Sequence, residues 1–486
     1  MAKTEFTAPP LDPDPDLLLL FLRHKAARTA IAVNFGRYLD IQPPSYGSTK
    51  PSLRIVTMTA LAQLEQRIRS GRLRLRFPSG AVHCFGSGKP EAEWIVRTPH
   101  VLEKIARDPE LRLGEAYVDG DWDAGEHGLL PLLEVLLLNF PLERAHGLQR
   151  IPQLVRQWLR QGNRLAESRH HALHHYGRDD ELFQYFLDPE MHYSCAYFTE
   201  PGISLEQAQR AKCRHIMNKL LLQPGQRVLD IGCGWGGLAC HLAEQAEVHV
   251  TGLTLADNQL HGAVERARRR GLTRKTRFLL EDYRRHQGRY DRIVSVGMFE
   301  HVGLPNYRRY FETIKRQLAP DGVALIHTIG CFTDTGGANP WLEKYIFPGS
   351  DCPLLSDIHR AIEAAGLISA DIEVLRLHYA WTLAAWLERL QQHREEVIRR
   401  WGMRFYRMWE FYLAACATAF RWRDTAVFQI QLAHRLDAVP TTRDYLYPAE
   451  SEWSTTAAAR LHPALSERRS SRGDRRKTKE NKIQSP

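Results

Sequence analysis

The chain has 486 residues, 43% apolar and 25% charged, with a formal net charge of +10. That length gives room for about three domains of roughly 150 residues, and these fractions exclude wholesale disorder. No apolar run reaches the 18 or so residues that would span a bilayer. The longest are Leu17–Leu22 and Leu129–Phe140, and the second is interrupted by Pro131 and Glu134.

The opening MAKTEFTAPPLDPDPD is acidic and proline-rich, unlike a secretory leader. The eight cysteines include no CxxC pair and no His/Cys cluster of zinc spacing. The expectation is a cytoplasmic chain with reduced thiols, no metal and no integral membrane segment. Positive charge gathers in a tail from Glu467 to Pro486 and in ERARRRGLTRKTR (Glu265 to Arg277). Both could meet anionic lipid or nucleic acid, and a solvated helix face with a frayed terminus accounts for either equally.

In chain order, an N-terminal extension (1–54) carries one amphipathic helix around Asp16–Leu39 and the loop signal QPPSYGSTKPS. A small α+β domain follows over 55–145. In GRLRLRFPSGAVHCFG, Leu73, Leu75 and Phe77 alternate with Arg72, Arg74 and Arg76 before a Pro78-Ser79-Gly80 turn, a hairpin signal. EAEWIVRTP reads as another strand. TPHVLEKIARDPELRLGEAYVDGDWD begins as one helix and ends in a loop punctuated by glycine and aspartate. Residues 146–170 read as a helical connector and 456–486 as a basic tail.

Over 171–455 strands alternate with helices: QRVLDIGCG, EVHVTGLTL, TRFLLEDY, DRIVSVGMFEHVG and DGVALIHTIG are the strands. This rhythm predicts a parallel, doubly wound α/β sheet with its ligand outside the carboxyl ends of the strands.

Asp230-Ile231-Gly232-Cys233-Gly234-Trp235-Gly236-Gly237 follows a strand and opens a helix. Glycines alone suit any tight strand–helix turn. Here the acid, Asp230, precedes the glycines, a position that suits an ammonium group better than a pyrophosphate. The second strand ends Gly252-Leu253-Thr254 without a carboxylate at its tip. The third ends Glu281-Asp282-Tyr283, where a carboxylate can accept an adenine amine. Together these favour S-adenosylmethionine over a nicotinamide dinucleotide. Two further strand ends, Phe299-Glu300-His301 and His327-Thr328-Ile329-Gly330, place Glu300 and His327 at the same crevice. Upstream, His192 to Phe198 is an aromatic segment able to fold over a cofactor, with ring faces that can stabilise positive charge. Cys195 lacks the surroundings of a thiol nucleophile. The stripe Arg407, Trp409, Tyr412 and Phe420 is expected to be mostly core.

VLDIGCGWGG, YSCAYF, GMFEHVG, HTIG, KYIFPG, the Tyr379 segment, the terminal VFQ and the upstream GEAYVDGDWD resemble the cyclopropane-fatty-acyl-phospholipid synthase family, across about 55 to 435. The resemblance implies a seven-stranded, Rossmann-like S-adenosylmethionine-dependent methyltransferase fold. It also implies methyl transfer to the cis double bond of a phospholipid acyl chain, giving a cyclopropane ring. Cys195, Glu300, His327, Ile329 and Tyr379 then correspond to a pocket for bicarbonate acting as general base. Tyr193, Ser194, the Gly232, Gly234 and Gly236 turn, Thr254, Gln259 and Asp282 correspond to cofactor contacts, with Tyr176, Asp230 and Tyr283 beside them. Expected partners are unsaturated phospholipid acyl chains and a membrane surface met peripherally from the cytoplasmic side, not nucleic acid. The number of subunits is left open, a homodimer included.

One segment departs from the family pattern. His175-Tyr176-Gly177-Arg178-Asp179-Asp180 stands where HYDxGN is usual. Rival readings are a same-fold enzyme that adds a methyl branch or methylates a small amine, and a non-catalytic lipid carrier.

Overall fold

A computed structural model describes residues 61–98, 100–140, 180–333 and 339–447. The expected helix around Asp16–Leu39, the connector at 146–170, Tyr176, Gly177 and the basic tail lie outside the described residues.

The first sheet has four strands, β1 (Gly71–Arg76), β2 (Val82–Ser87), β3 (Glu91–Val96) and β4 (Trp122–Ala124), in the order β2-β1-β3-β4. Alternation along β1 buries Leu73 and Leu75 and exposes Arg72, Arg74 and Arg76, as a half-buried strand requires. The β1–β2 hairpin is antiparallel, while β1 and β3 run parallel.

The expected single helix after β3 is two, α1 (Val101–Arg107) and α2 (Pro109–Asp119). Pro109 cannot continue a helix, and the Asp108 carboxylate accepts from Leu111 N–H to start the second one. GEAYVD belongs to α2, so the loop shrinks to Gly120-Asp121. Helix α3 (Leu129–Asn139) holds the apolar run, and its Glu134 is buried against Arg421. No helix among the described residues is long and apolar enough to cross a membrane.

Helix α4 (Leu205–Leu220) starts with a capping box between Ser204 and Gln207. Then come β5 (Arg227–Ile231), α5 (Gly237–Gln245), β6 (His249–Thr254), α6 (Asp257–Arg269), β7 (Thr276–Leu280), β8 (Tyr290–Val296), α7 (Tyr307–Gln317) and β9 (Leu318–Cys331). The chain continues through α8 (Leu355–Ala365), β10 (Ile368–Leu375), α9 (His378–Gln392), α10 (Met403–Trp422) and β11 (Thr425–Ala433).

The sheet order is β10-β11-β9-β8-β5-β6-β7. Seven strands are present, but the sheet is not wholly parallel: β11 runs against both β9 and β10. Helices α9 and α10 leave from the carboxyl end of β10, and β11 starts level with the carboxyl end of β9 (Thr425 opposite Cys331), so it must run back.

These two helices join the first sheet to the second. Arg407 on α10 donates to Asp123 (2.7 Å) and to the Trp122 and Tyr117 carbonyls, and Tyr117 donates to Glu410 (2.5 Å). Trp409, Tyr412 and Phe420 are buried, as expected of core.

Two expectations about charge and thiols change. In the Glu265–Arg277 cluster, Arg266 and Arg270 hold Glu190 at 2.6 and 3.0 Å, and Arg268 pairs with Glu265 on its own helix. Much of that cluster is therefore neutralised within the protein. The thiols are not all reduced: Cys331 and Cys352 form a disulfide, while Cys84, Cys195, Cys213, Cys233, Cys240 and Cys416 are free. Cys331 N–H donates to the Pro353 carbonyl (2.9 Å), so strand pairing brings together two cysteines that no local motif relates.

Candidate active site

The glycine turn after β5 takes left-handed backbone angles at Gly232, Gly234 and Gly236 (φ 84°, 54° and 76°), which side chains other than hydrogen tolerate poorly. Their roles differ. A Cβ on Gly234 would meet nothing within 4 Å, because it would project into an open cleft. A Cβ on Gly236 would lie 2.8 Å from the Ala263 Cβ, so this glycine lets α6 approach the turn.

The cleft is lined by the expected Tyr193, Ser194, Asp230, Gly232, Gly234, Thr254, Gln259, Asp282 and Tyr283. Gly236 is not among its lining residues. Thr254, at the tip of β6, donates to Gln259 Oε1 (2.8 Å). Asp282 is gripped by Arg284 Nε and Nη2 at 2.8 and 2.6 Å, so its carboxylate is already oriented. Asp230 is 1% exposed, its Oδ2 has no hydrogen-bond partner, and burial pushes its carboxyl up to about 7. Asp180, where the family pattern has Asn, accepts from Trp235 Nε1 (3.1 Å) and Asn258 Nδ2 (2.6 Å) and so braces the glycine turn.

None of the five residues expected to hold the base lines this cleft. Three of them adjoin residues that do. Cys195 follows Ser194, Glu300 precedes His301, and the His327 carbonyl accepts from Gly297 N–H (2.9 Å). Glu300, His327, Cys195 and Tyr379 are all buried.

Glu300 Oε1 accepts from Ile329 N–H (2.6 Å), while Oε2 is buried with no partner. Burial pushes the Glu300 carboxyl up to about 7, against the lowering effect of backbone hydrogen bonds and of the Thr328 hydroxyl. Burial, with Lys212 and Lys219 nearby, pulls His327 down to about 3. The Gln429 amide donates to His327 Nδ1 (3.1 Å), which leaves the neutral ring's proton on Nε2.

Burial also raises the Tyr379 hydroxyl and the Cys195 thiol, so both stay protonated. This buried set of side chains thus combines a neutral imidazole with hydroxyl and thiol donors and a carboxylic acid poised at neutrality. Around it, Tyr193 stacks on Trp386 (ring centroids 5.3 Å apart) and Tyr379 packs on Phe420 (4.7 Å). The Tyr193 and Tyr412 hydroxyls are 2.9 Å apart.

Sequence reasoning did not single out His192 or Lys212 as cleft residues, nor Cys416. His192 and Lys212 are buried and line the cleft. Cys416 lies near enough to Tyr379 and Tyr412 to act on them electrostatically, and burial pushes its thiol up to about 12. Lys212 carried a signal: it sits on the apolar stripe of α4 among Ala208, Ala211 and Ile216.

A glycine turn at the carboxyl end of a central strand, acids at the tips of the first and third strands, and a seven-stranded sheet with one reversed strand define an S-adenosylmethionine-dependent methyltransferase. The model of the mycolic acid cyclopropane synthetase family matches residues 163–430. The cyclopropane-fatty-acyl-phospholipid synthase of Escherichia coli is 39% identical over 351 residues, covering 71% of this chain and 88% of that protein. A probable fatty acid methyltransferase of Pseudomonas putida is 34% identical over 378 residues, covering 74% and 92%. The structure of cyclopropane synthase MmaA2 from Mycobacterium tuberculosis aligns with a TM-score of 0.53 at 35% identity, over 55% of this chain and 98% of the other. The chain belongs to the mycolic acid cyclopropane synthetase family.

Proposed function

We propose that the protein methylates the cis double bond of an unsaturated phospholipid acyl chain and closes a cyclopropane ring, with bicarbonate as the base. The observation that carries this reading is the orphaned Glu300 Oε2. A carboxylic acid near neutrality with one oxygen on Ile329 N–H has a proton to donate from the other, and a buried donor needs an acceptor. A small anion fits that requirement, and His327 Nε2–H and the Tyr379 hydroxyl add donors of the same kind.

S-adenosylmethionine supplies an electrophilic methyl group on a sulfonium. Bound bicarbonate would supply a base small enough for a closed chamber. The chain's own residues do the rest. Asp230, Thr254, Gln259 and Asp282 orient the cofactor, while the faces of Tyr193, Trp386, Tyr379 and Phe420 exclude water and stabilise the positive charge that develops on the alkylated chain. Glu300, fixed by Ile329 N–H, together with His327, Cys195 and Tyr379 would hold bicarbonate, which would supply the base for the proton that the methyl carbon must lose before the ring can close.

A bilayer met peripherally from the cytoplasmic side would present the acyl chain, with residues 55–145 as a small domain beside a methyltransferase domain at 171–455. One subunit already carries every residue assigned here, so a homodimer is not required for the chemistry. A second reading, simple methyl branching, is favoured by the likeness to the probable fatty acid methyltransferase of Pseudomonas putida.

Incubation with methyl-labelled S-adenosylmethionine and unsaturated phospholipid vesicles decides between them. Gain of one CH₂ unit with loss of the double bond is expected. Label in a chain that gains one CH₂ unit but keeps its unsaturation supports the second reading, and no label in lipid overturns both.

A further inference from the structure

Helix α4 buries two lysines seven residues apart, Lys212 and Lys219, at 1% and 0% exposure. They differ in company. Lys219 has its own carboxylates, Glu373 at 2.6 Å and Asp371 at 3.8 Å. Among the described residues no carboxylate closes an ion pair with Lys212. Its ammonium donates to Ser194 Oγ (3.0 Å), and Ser194 is fixed through its carbonyl by Gln209 Nε2 (3.0 Å).

Lys212, Ser194 and Asp230 all line the cleft. Burying an ammonium without an ion-pair contact is costly, and burial pulls the Lys212 pKa down although the charges of Asp188 and Asp230 act the other way. Asp230 presents the complementary defect, a buried carboxyl oxygen without a partner. Lys212 and Asp230 act on each other's charge without closing an ion pair, and one cationic and one acidic group lining the same cleft match a zwitterion. The amino-acid arm of S-adenosylmethionine is one, with an α-carboxylate and an α-ammonium on a single carbon.

We propose that Lys212, with the Ser194 hydroxyl, receives the α-carboxylate of the cofactor's amino-acid arm while Asp230 receives its α-ammonium. This rests on the reading of the cleft as the cofactor site. Lys212 is a binding residue here, separate from the chamber formed by Glu300 and His327. Its place on α4 ties cofactor recognition to the same helix whose Lys219 anchors β10 through Glu373 and Asp371.

The test compares two ligands by calorimetry: S-adenosylhomocysteine, which has the amino-acid arm, and 5′-methylthioadenosine, which lacks it. Lys212→Met should weaken the first by about 10- to 100-fold, the range of a lost charge-assisted hydrogen bond. It should change the second by less than about 2-fold, because no charged partner is removed from it. Equal losses for both ligands, or none for the first, overturn the proposal. If Lys212→Met does not fold, the wild-type protein gives a second reading. Decarboxylated S-adenosylmethionine should bind about 10- to 100-fold more weakly than S-adenosylmethionine, and equal affinities overturn the assignment. A wild-type protein that binds none of these ligands refutes the cofactor site itself, an outcome distinct from failure of Lys212 alone.

Discussion

His192 and His327 are both buried beside the cofactor cleft, at 7% and 2% exposure, yet their protonation diverges. Burial pulls both down. At His192, Lys212 adds to that effect, but Cys213 and Asp188 outweigh it and raise the ring to about 9. Asp188 Oδ2 lies 2.9 Å from His192 Nδ1, and Cys213 Sγ lies 3.4 Å from its Nε2. At His327 the nearest partner is the neutral Gln429 amide, and the ring falls to about 3. Desolvation sets a common penalty, and the charge of the neighbour decides which side of neutrality a buried imidazole occupies. The charged pair clamps the segment that carries Tyr193 and Ser194, while the neutral ring is free to donate from Nε2 without bringing a cation into the chamber.

The largest way to break this contrast is to empty the neutral side. Glu300→Ala should lower kcat by about 1,000-fold, within the range of a lost acid–base or electrostatic group, with S-adenosylhomocysteine affinity changed by less than about 3-fold, since Glu300 lies outside the cleft. Glu300→Gln keeps an acceptor for Ile329 N–H and a neutral donor. Because the Glu300 acid form prevails below about 7 and is lost as pH rises through it, wild-type kcat/KM should fall above that pH. The Gln variant should be slower but free of that limb, and a Gln variant with the wild-type limb would assign it to another group.

On the charged side, Asp188→Asn should destabilise the fold by about 3 kcal/mol, as loss of one partner of a buried pair does. The sign follows from both partners. His192 is raised to about 9 from its ordinary value, so its contribution is complete below about 6.5 and disappears as pH rises through 9. Asp188 is held down to about 2, so its contribution is present above about 4 and is lost as pH falls toward 2. Thermal stability due to the pair should therefore be greatest between those limits, and the Asn variant should lose the decline on the alkaline side. A smaller effect is expected for Gln429→Leu, which removes the donor to His327 Nδ1. A fall in kcat of about 10-fold with unchanged cofactor affinity fits a positioning role, and a change in affinity alone would contradict it.

β4 fell in an expected loop and β10 was not marked as a strand, but most other strands and the glycine turn, as local properties of sequence, were legible. The reversed β11 was not: its direction follows from where α9 and α10 leave the chain. Nor was the Cys331–Cys352 bond, which depends on the segment after Cys352 pairing with the end of β9. The break at Asp108-Pro109 was readable in principle, since proline after a capping aspartate starts a new helix. Glu300 and His327 were expected at the mouth of the crevice, but neither lines it: β8 ends at Val296, Glu300 follows in a 3-10 turn (Phe299–His301), and His327 lies within β9. Their protonation states depend on burial and on Gln429 across the strand pair, which no single segment reveals.

If the neutral donors at Glu300, His327 and Tyr379 serve an anionic base, turnover depends on bicarbonate. Ring formation on unsaturated phospholipid should be measured in buffer stripped of carbonate and again after adding bicarbonate, at constant pH. The rate should collapse without bicarbonate and recover in a saturable manner for the wild-type protein, with little recovery in Glu300→Ala. Equal rates with and without bicarbonate would contradict it.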